Sequence, residues 1–207
     1  MITIDLRLYA PATQRNRDPI LEVLKAHLPN PSKVLEIASG TGEHAIYFSE
    51  HLEQVTIWQP SDIESSALKS IEAWREHYPD SKVVRSKYLD ISAKDNHPEP
   101  LFNVIVAINL LHISPWPVTE ALMKYASEHL PHQGLLYLYG PFWQADVTPA
   151  ESNLHFDSTL KKQNSAWGIR DLDAVLEEAR KQGLSKKAVI PMPANNLSVI
   201  LELKKFS

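Results

Sequence analysis

Residues 34–44 read VLEIASGTGEH, and the fold prediction starts from this stretch. It opens as an apolar run typical of a buried strand, passes through Gly40 and Gly42, and leads into apolar residues at helical spacing. Glycine permits positive φ and lets a ligand approach the main chain, while a helix N-terminus offers free N–H donors to an anion. The stretch therefore predicts a ligand site between a strand and a helix.

On both sides of this stretch, helical segments alternate with short runs rich in Val, Ile and Leu, the pattern of a mostly parallel α/β sheet. Asp18-Pro19 predicts the start of a helix that precedes the first strand, and Ser61-x-x-Glu64 predicts a capping box. The short segment 191–197 predicts an antiparallel hairpin at the end of the chain. Strands are predicted at residues 34–37, 55–58, 82–88, 101–108, 135–139, 188–190 and 198–203.

About thirty residues after Pro141 lose this regular pattern, which is uncommon for a connection in a compact domain. We predict an irregular lid or substrate-facing excursion at about residues 141–170. The 207 residues otherwise fit a single domain spanning 1–207.

Composition excludes several classes of protein. The absence of Cys rules out a disulfide framework, a thiolate zinc site, an iron–sulfur cluster and a cysteine nucleophile. The net charge of -4 provides no attraction to nucleic acid or anionic lipid. No secretory signal or membrane-length apolar run is present, so we predict a cytoplasmic protein without nucleic-acid or membrane partners.

Three acidic residues lie at or after the ends of predicted strands. Asp62 comes twenty residues after Gly42, at a distance where an acid can accept hydrogen bonds from ribose hydroxyls. Asp90 follows the third strand and could accept from the exocyclic amine of a purine, and Glu36 lies at the end of the first strand. The spacing suggests a nucleoside-containing cofactor. Asp62 also lies inside the predicted capping box, so its charge alternatively only complements a helix dipole.

Two cofactors compete for this site. Gly40-x-Gly42-x-x-Ala45 satisfies the dinucleotide fingerprint, which leaves a nicotinamide oxidoreductase as an alternative. Glu43, however, opposes a doubly charged pyrophosphate more than the single carboxylate of a methionine moiety. A Glu36 carboxylate could also hold the ammonium of an amino-acid cofactor. The charges favour S-adenosylmethionine.

The chain resembles class I S-adenosylmethionine-dependent methyltransferases, and most of all the methyltransferase-like protein 26 family, known in bacteria as domain-of-unknown-function family 938. The resemblance is carried by Arg15-Asn16 with Pro19-Ile20, Leu35–Gly42, Trp58–Asp62, Asn109–Trp116, Tyr139–Phe142, Glu151–Asn153 with Phe156-Asp157, Trp167–Asp171 and Met192–Asn196. It implies a seven-stranded Rossmann-like sheet with helices on both faces and an antiparallel C-terminal strand. The superfamily often has a third glycine where this chain has Ala38.

The same resemblance implies that the chain binds S-adenosylmethionine, with S-adenosylhomocysteine as product, and we predict that it methylates a small-molecule acceptor that the family does not identify. The predicted cofactor-binding residues are Glu36, Ala38, Ser39, Gly40, Gly42, His44, Asp62, Ile63, Asp90, Ile91 and Asn109. The predicted substrate-facing residues are Arg15, Asn16, Tyr139, Asn153, Trp167 and Arg170.

Methyl transfer depends on positioning in a dry pocket more than on acid–base groups. If a base is used, His112 is the first candidate because the ordinary histidine pKa suits neutral pH, and Asp157 is the second. His112 alternatively only caps the next turn. No histidine spacing typical of a metal site occurs, and we predict no metal. A cofactor-binding protein that performs no methyl transfer remains an alternative function. For the oligomeric state, both a monomer and a homodimer remain open.

Overall fold

The structure is a computed structural model that describes residues 5–93 and 102–204. The described residues divide into two compact units, one with residues 5–90 and 102–106 and the other with residues 91–93 and 107–204. Strand β4, Val104–Ile108, begins in the first unit and ends in the second. The prediction of one domain over residues 1–207 stays a prediction.

The first unit alternates strands and helices as the sequence pattern predicts. Its elements in chain order are α1 Pro11–His27, β1 Ser32–Ile37, α2 Glu43–His51, β2 Val55–Asp62, α3 Ser65–His77 and β3 Lys87–Tyr88. β1 pairs with β2 in parallel, and β2 pairs with β3 in parallel. Val34, Phe48 and Trp58 are completely buried and belong to the core of this unit. The carboxyl ends of β1 and β2 therefore lie side by side.

The second unit contains the antiparallel part of the sheet. Its elements are the short 3-10 helix Leu111–Ile113, α4 Trp116–His129, β5 Leu135–Trp143, α5 Glu151–Gln163, β6 Arg170–Asp171, α6 Leu172–Lys181, β7 Leu184–Met192, a second 3-10 turn Pro193–Asn195, and β8 Asn196–Leu203. β8 pairs antiparallel with both β5 and β7, so the predicted C-terminal hairpin is confirmed. The register of this hairpin shifts between Lys186 and Ala188.

The strand order is β3-β2-β1-β4-β5-β8-β7, and the two-residue β6 pairs with β5 in addition. Seven strands form the continuous path, as the resemblance implies, with one short strand added to it. All five residues of β4 are buried, which matches its uninterrupted apolar sequence. The predicted mixed α/β sheet is confirmed. Within the described ranges, no helix has the length and apolar character needed to span a membrane.

Helix α1 begins earlier than predicted. It begins at Pro11 and not at Asp18-Pro19, and Pro19 lies inside the helix. Pro11 occupies the first helical position, where the missing N–H costs nothing and the fixed φ suits a helix. The buried face of the first two turns carries Thr13 and Asn16 in place of apolar residues. Apolar periodicity could not indicate this part of the helix.

The predicted capping box is also wrong. Ser61 belongs to β2, and α3 begins only at Ser65, with Glu64 as a cap residue whose side chain makes no capping bond. The Ser61 hydroxyl donates instead to the backbone carbonyl of Glu36 at 2.7 Å, across the β1–β2 pair.

The prediction of irregular structure at residues 141–170 is also wrong. β5 continues to Trp143, and the segment contains the thirteen-residue helix α5. The buried residues of α5 are Asn153, Asp157 and Leu160, so two of three are polar and the helical pattern is hidden. The role of this segment as a lid stays a prediction.

Two predicted strands are shorter in the structure. Of residues 82–88, only Lys87–Tyr88 form a strand, and Val83 adds an isolated bridge to Trp58. The strand predicted at 101–108 begins at Val104, and Leu101 lies outside the described residues.

Candidate functional site

The turn between β1 and α2 contains three residues with left-handed φ. These are Ala38 at 55°, Gly40 at 58° and Gly42 at 87°. A Cβ atom at Gly42 would lie 3.0 Å from the Cα of Ile71, whereas a Cβ at Gly40 would meet nothing within 4 Å. Gly42 is therefore needed for packing on α3, and Gly40 leaves open space above the backbone. A ligand can approach the main chain at Gly40.

Ala38 occupies the position where the sequence resemblance leads us to expect a third glycine. Its positive φ shows that the turn keeps the left-handed geometry despite the alanine side chain. An L-residue with a Cβ pays roughly 1 kcal/mol or more for this conformation. The alanine at this position therefore leaves the left-handed turn geometry intact.

Asp62 connects the ends of β1 and β2. One carboxylate oxygen, Oδ2, accepts a hydrogen bond from the Gly40 amide at 2.8 Å, and Oδ1 accepts one from the Glu64 amide at 2.9 Å. A carboxylate offers about four acceptor positions, so ribose hydroxyls can still bind to the same group. Asp62 therefore supports both the glycine turn and the turn that leads into α3, in addition to any effect of its charge on the dipole of that helix.

Glu36 is a buried acid at the end of β1. Its Oε2 accepts a hydrogen bond from the indole Nε1 of Trp58 at 3.1 Å. Burial raises the pKa of Glu36 to about 7, the bond from Trp58 opposes that rise, and the charge of Asp62 adds to it. The acid is therefore poised to change its charge near neutral pH, and a neighbouring cation would stabilise its ionised form.

This pKa predicts that Glu36 destabilises the fold as pH rises. The unfolded carboxyl loses its proton near pH 4.5 and the folded one near 7, so stability is lost across that window. We expect wild type to lose about 2–3 kcal/mol relative to Glu36→Gln between pH 5 and pH 8. Urea unfolding of both proteins at these two pH values measures the difference. Parallel pH profiles would contradict the raised pKa.

Ser39 holds the turn against β2. Its amide donates to the Ser61 carbonyl at 2.9 Å, and its hydroxyl accepts from the Ser61 amide at 3.1 Å. The hydroxyls of both serines are directed to the Glu36 carbonyl. These bonds fix the backbone around Glu36, a function that residue spacing did not indicate.

A segment before α1, residues 8–10, is tied to the glycine turn. The Ala10 amide donates to Glu43 Oε2 at 2.6 Å, and the hydroxyl of Thr41 donates to the same oxygen at 3.0 Å. Ser70 accepts from the Leu8 amide at 2.8 Å and donates to the Thr41 carbonyl at 2.7 Å. The carboxylate of Glu43, the first residue of α2, therefore joins the segment before α1 to the glycine turn.

His44 pairs with a residue that was predicted to face substrate. Its Nε2 lies 2.8 Å from Oδ1 of Asn16, so the ring donates and the amide oxygen of Asn16 is occupied. Burial, with a smaller contribution from the charge of Arg17, lowers the pKa of His44 to about 3. The ring is neutral at physiological pH. Arg15, by contrast, is exposed.

The remaining cofactor candidates of the first unit are Ile63 and Asp90. Ile63 follows Asp62 directly and is 54% exposed, which is unusual for its residue type. Asp90 lies just after β3, whose residue Tyr88 is 55% exposed. An apolar side chain open to solvent beside Asp62 can cover one face of an aromatic base.

The second unit contains the other predicted cofactor residues, Ile91 and Asn109. Ile91 is buried. Asn109 follows β4 with a φ of 59°, and its amide donates to the Tyr139 carbonyl at 2.8 Å. A Cβ at Gly140 would lie 3.3 Å from Nδ1 of His112 and 3.8 Å from Oδ1 of Asn109, so both side chains lie against the β5 backbone.

His112 is buried and its ring packs edge-on against Phe156 at 5.5 Å between centroids. Burial lowers the pKa of His112 to about 4, and the positive charge of Arg170 contributes to the same shift. The near-neutral pKa that motivated its choice as a base is therefore wrong. The imidazole is neutral at pH 7 and accepts a proton only weakly.

Arg170 and Asp157 hold this region together. Arg170 donates from Nε to the Leu111 carbonyl at 3.0 Å, and from Nη2 to the carbonyls of Ser114 and Ala166. Asp157 accepts from the Ile169 amide at 2.8 Å and from Lys161 at 2.5 Å. Asp157 is buried and forms an ion pair with Lys161, which makes it less available as a base.

We expect Asp157→Ala to lower the free energy of unfolding by about 1–3 kcal/mol, because the buried Ile169 amide loses its acceptor. Asp157→Asn keeps an acceptor oxygen and should cost less. The exposed Asp146→Ala is a matched control with little effect. Thermal or urea unfolding checks the order, and equal stability of the alanine variant and wild type would contradict it.

Asn153 differs from the other substrate candidates because it lines a cavity of about 200 Å³ within the second unit. The cavity lies between the end of β5 and the turn from β7 to β8. Tyr139, Trp167 and Arg170 do not line it: Tyr139 is buried and Trp167 is half-buried.

In the described part of the chain, no cluster of three or more His, Asp or Glu residues could hold a metal.

Comparisons with solved structures indicate the fold. The chain is similar to an O-methyltransferase family protein from Burkholderia thailandensis, with 13% identity and a TM-score of 0.78 over 95% of this chain and 58% of that one. It is also similar to an O-methyltransferase family 2 protein from Planctomyces limnophilus in complex with apigenin. The identity is 16% and the TM-score is 0.73 over 92% of this chain and 59% of that one. A third similar structure is human N-acetylserotonin methyltransferase in complex with S-adenosylmethionine. The identity is 12% and the TM-score is 0.73 over 94% of this chain and 53% of that one.

The chain spans a little over half the length of these three proteins. At such low identity the similarity shows the fold alone, and the predicted methyltransferase fold is confirmed. A sequence model of the family described as "Protein of unknown function (DUF938)" matches residues 7–203. Since this match covers nearly the whole chain, the protein belongs to the DUF938 family, as the sequence resemblance indicated.

Proposed function

We propose that the protein is an S-adenosylmethionine-dependent methyltransferase that acts on a small-molecule acceptor. The observation that carries the proposal is the arrangement at the ends of β1 and β2. An open left-handed glycine, Gly40, is hydrogen-bonded to Asp62, and the ionisable Glu36 is the last residue but one of the preceding strand. This arrangement suits a cofactor that combines a ribose with an amino acid.

Each residue of the arrangement has a separate role in the proposal. Gly40 lets the cofactor approach the backbone because no side chain fills the space above it. Asp62 accepts hydrogen bonds from the ribose hydroxyls with the acceptor positions that Gly40 and Glu64 leave open. Glu36 binds the ammonium of the methionine moiety, directly or through water. Ile63 and Asp90 contact the adenine.

S-adenosylmethionine, when bound, supplies a methyl group on a positively charged sulfur. The protein's contribution is to bind, orient and exclude water. His112 stays the candidate base for acceptors that must lose a proton, as a weak base, because burial lowers its pKa to about 4. Asp157 has a structural role in this proposal, because its carboxylate accepts a hydrogen bond from the backbone amide of Ile169 and holds that part of the chain in place.

Calorimetric titration with S-adenosylmethionine, S-adenosylhomocysteine and NADH tests the cofactor. We expect micromolar binding of the first two and no binding of NADH. The converse result would favour the nicotinamide alternative. Release of S-adenosylhomocysteine with a methylated product would distinguish an enzyme from a cofactor-binding protein without methyl transfer.

The pH dependence of binding tests Glu36 in particular. With a pKa of about 7, Glu36 must lose its proton before it can bind the ammonium as a carboxylate. We therefore expect S-adenosylhomocysteine to bind about eightfold to tenfold more weakly at pH 6 than at pH 7.5. Calorimetry on wild type and Glu36→Gln at both pH values checks this, because the variant should lose the dependence. An identical pH dependence in both proteins would contradict the role of Glu36.

The other sequence predictions belong to the same proposal. We propose a cytoplasmic enzyme without nucleic-acid or membrane partners, which acts as a monomer or homodimer. Arg15, Tyr139, Trp167 and Arg170 stay candidates for contact with the acceptor, and Asn16 reaches it only if its bond to His44 opens.

A further inference from the structure

The cavity beside Asn153 is lined by residues without charge. Phe142, Met192 and Leu197 form its buried apolar wall, and Trp143 adds a half-buried aromatic ring. All of its lining falls in described residues between 142 and 197, and none of these side chains is ionisable. A charged ligand would gain no partner of opposite charge from this lining, and its contact with the apolar wall would cost part of its hydration. The lining therefore selects for neutral ligands.

Side-chain amides provide the polar contacts of the cavity. Nδ2 of Asn153 donates to the Asn195 carbonyl at 3.3 Å, and no donor within the described ranges reaches its Oδ1. Gln144, Asn195 and Asn196 bring three more amides to the lining, and Thr148 adds a hydroxyl. An amide both donates and accepts, so these groups can orient a ligand that carries a neutral polar substituent. A mostly apolar wall with a few polar groups is typical of small-molecule sites.

The size of the cavity limits the ligand further. An apolar cavity of about 150 Å³ holds one benzene molecule. The volume here is about 200 Å³, which adds room for one small substituent. Phe142 and Trp143 offer aromatic surfaces, and the thioether of Met192 makes favourable contacts with a ring. These features fit one flat ring better than a branched aliphatic group.

We propose that this cavity binds an uncharged, single-ring aromatic compound with one neutral polar substituent. In the methyltransferase proposed above, this compound belongs to the class of the methyl acceptor, and only that assignment rests on the proposed function. The binding itself depends on residues of the second unit alone.

Three isosteric probes test the charge selection. Benzamide is neutral, benzoate is an anion and benzamidine is a cation, while their shapes are nearly identical. We expect ligand-observed NMR at pH 7.5 to detect benzamide binding, with benzoate and benzamidine at least tenfold weaker. Cyclohexanecarboxamide, which lacks the aromatic ring, should also bind more weakly. Equal binding of the three charge states, or no binding of benzamide, would overturn the proposal.

Variants locate the binding. Ala150 lines the cavity and is half-exposed, so Ala150→Phe fills the space without removing a side-chain contact, whereas Ala145→Phe adds the same ring outside it. We expect benzamide binding to be lost in the first variant and kept in the second. Asn153→Leu should weaken binding about threefold to tenfold, with the exposed Gln163→Leu on the same helix as its control. Unchanged binding in a folded Ala150→Phe or Asn153→Leu variant would overturn the proposal.

Calorimetry with S-adenosylmethionine separates this inference from the proposed function. Failure of benzamide binding while S-adenosylmethionine binds would reject the cavity as a site and leave the methyltransferase proposal in place. Benzamide binding with failure of S-adenosylmethionine binding would reject the methyltransferase proposal and leave the ligand class intact.

Discussion

Gly42→Ala should lower the free energy of unfolding by about 2–4 kcal/mol. The added Cβ would lie 3.0 Å from the backbone Cα of Ile71, which cannot move as a flexible side chain can. In addition, φ at this position is 87°, where an L-residue with a Cβ is strained by about 1–2 kcal/mol. This loss is a large share of the stability of an ordinary domain. Urea unfolding measured on both proteins tests the value.

Gly40→Ala is the matched control for this prediction. Its φ of 58° brings similar backbone strain, but nothing lies within 4 Å of the added Cβ. We expect a loss of only about 1–2 kcal/mol in stability. S-adenosylhomocysteine binding should nevertheless weaken, because the methyl group occupies the space above the turn. Equal stability losses at the two glycines would contradict the packing argument.

Asp62→Ala should weaken S-adenosylmethionine binding about a hundredfold or more. The variant loses the proposed acceptor of two ribose hydroxyls, and hydrogen bonds to a charged group contribute about 1.5–3 kcal/mol each. It also removes the acceptor of the Gly40 amide, so the glycine turn loses support. Calorimetric titration measures the affinity, and circular dichroism establishes that the variant is folded.

Two further variants make the result specific. Asp62→Asn keeps one acceptor oxygen and the shape of the side chain, and we expect an intermediate loss of about tenfold. Glu50→Ala removes an exposed acid on α2 and should leave binding unchanged. Wild-type affinity in a folded Asp62→Ala protein would remove Asp62 from the cofactor site.

The sequence was sufficient to predict the parts of the fold that have strong local signals. The apolar run before Gly40, the alternation of strands and helices, and the short segment between the last two strands each have a direct physical meaning. The structure contains the corresponding strand, mixed sheet and antiparallel hairpin. These features depend on which residues are buried and on how long the connecting segments are. Both can be inferred from the spacing of apolar residues along the sequence.

Helices with polar buried faces could not be predicted in the same way. Thr13 and Asn16 in α1, and Asn153 and Asp157 in α5, are buried because particular partners hold them there. Asn16 pairs with His44, and Asp157 pairs with the Ile169 amide. Such pairs join residues that are distant along the chain, so no local pattern reveals them.

The candidate site shows the same division. The left-handed turn and the place of Asp62 at a strand end followed from spacing. The raised pKa of Glu36 and the lowered pKa of His112 come from burial, which the sequence does not quantify. The bond from Trp58 to Glu36 and the bonds of Ser70 to the turn were also missed. Trp58 is part of a motif that carries the family resemblance, which is the one signal that could have indicated it.

The edges of the sheet have a consequence for the behaviour of the protein at high concentration. β7 is an edge strand with a register shift after Lys186, exposed Lys186 and Lys187, and an exposed Pro191. Charges, irregular pairing and proline all hinder the addition of a strand from another molecule. The opposite edge, β3, has only two residues and offers little backbone to pair with. Both open edges therefore resist intermolecular β-sheet growth, which protects the chain against aggregation when it is crowded.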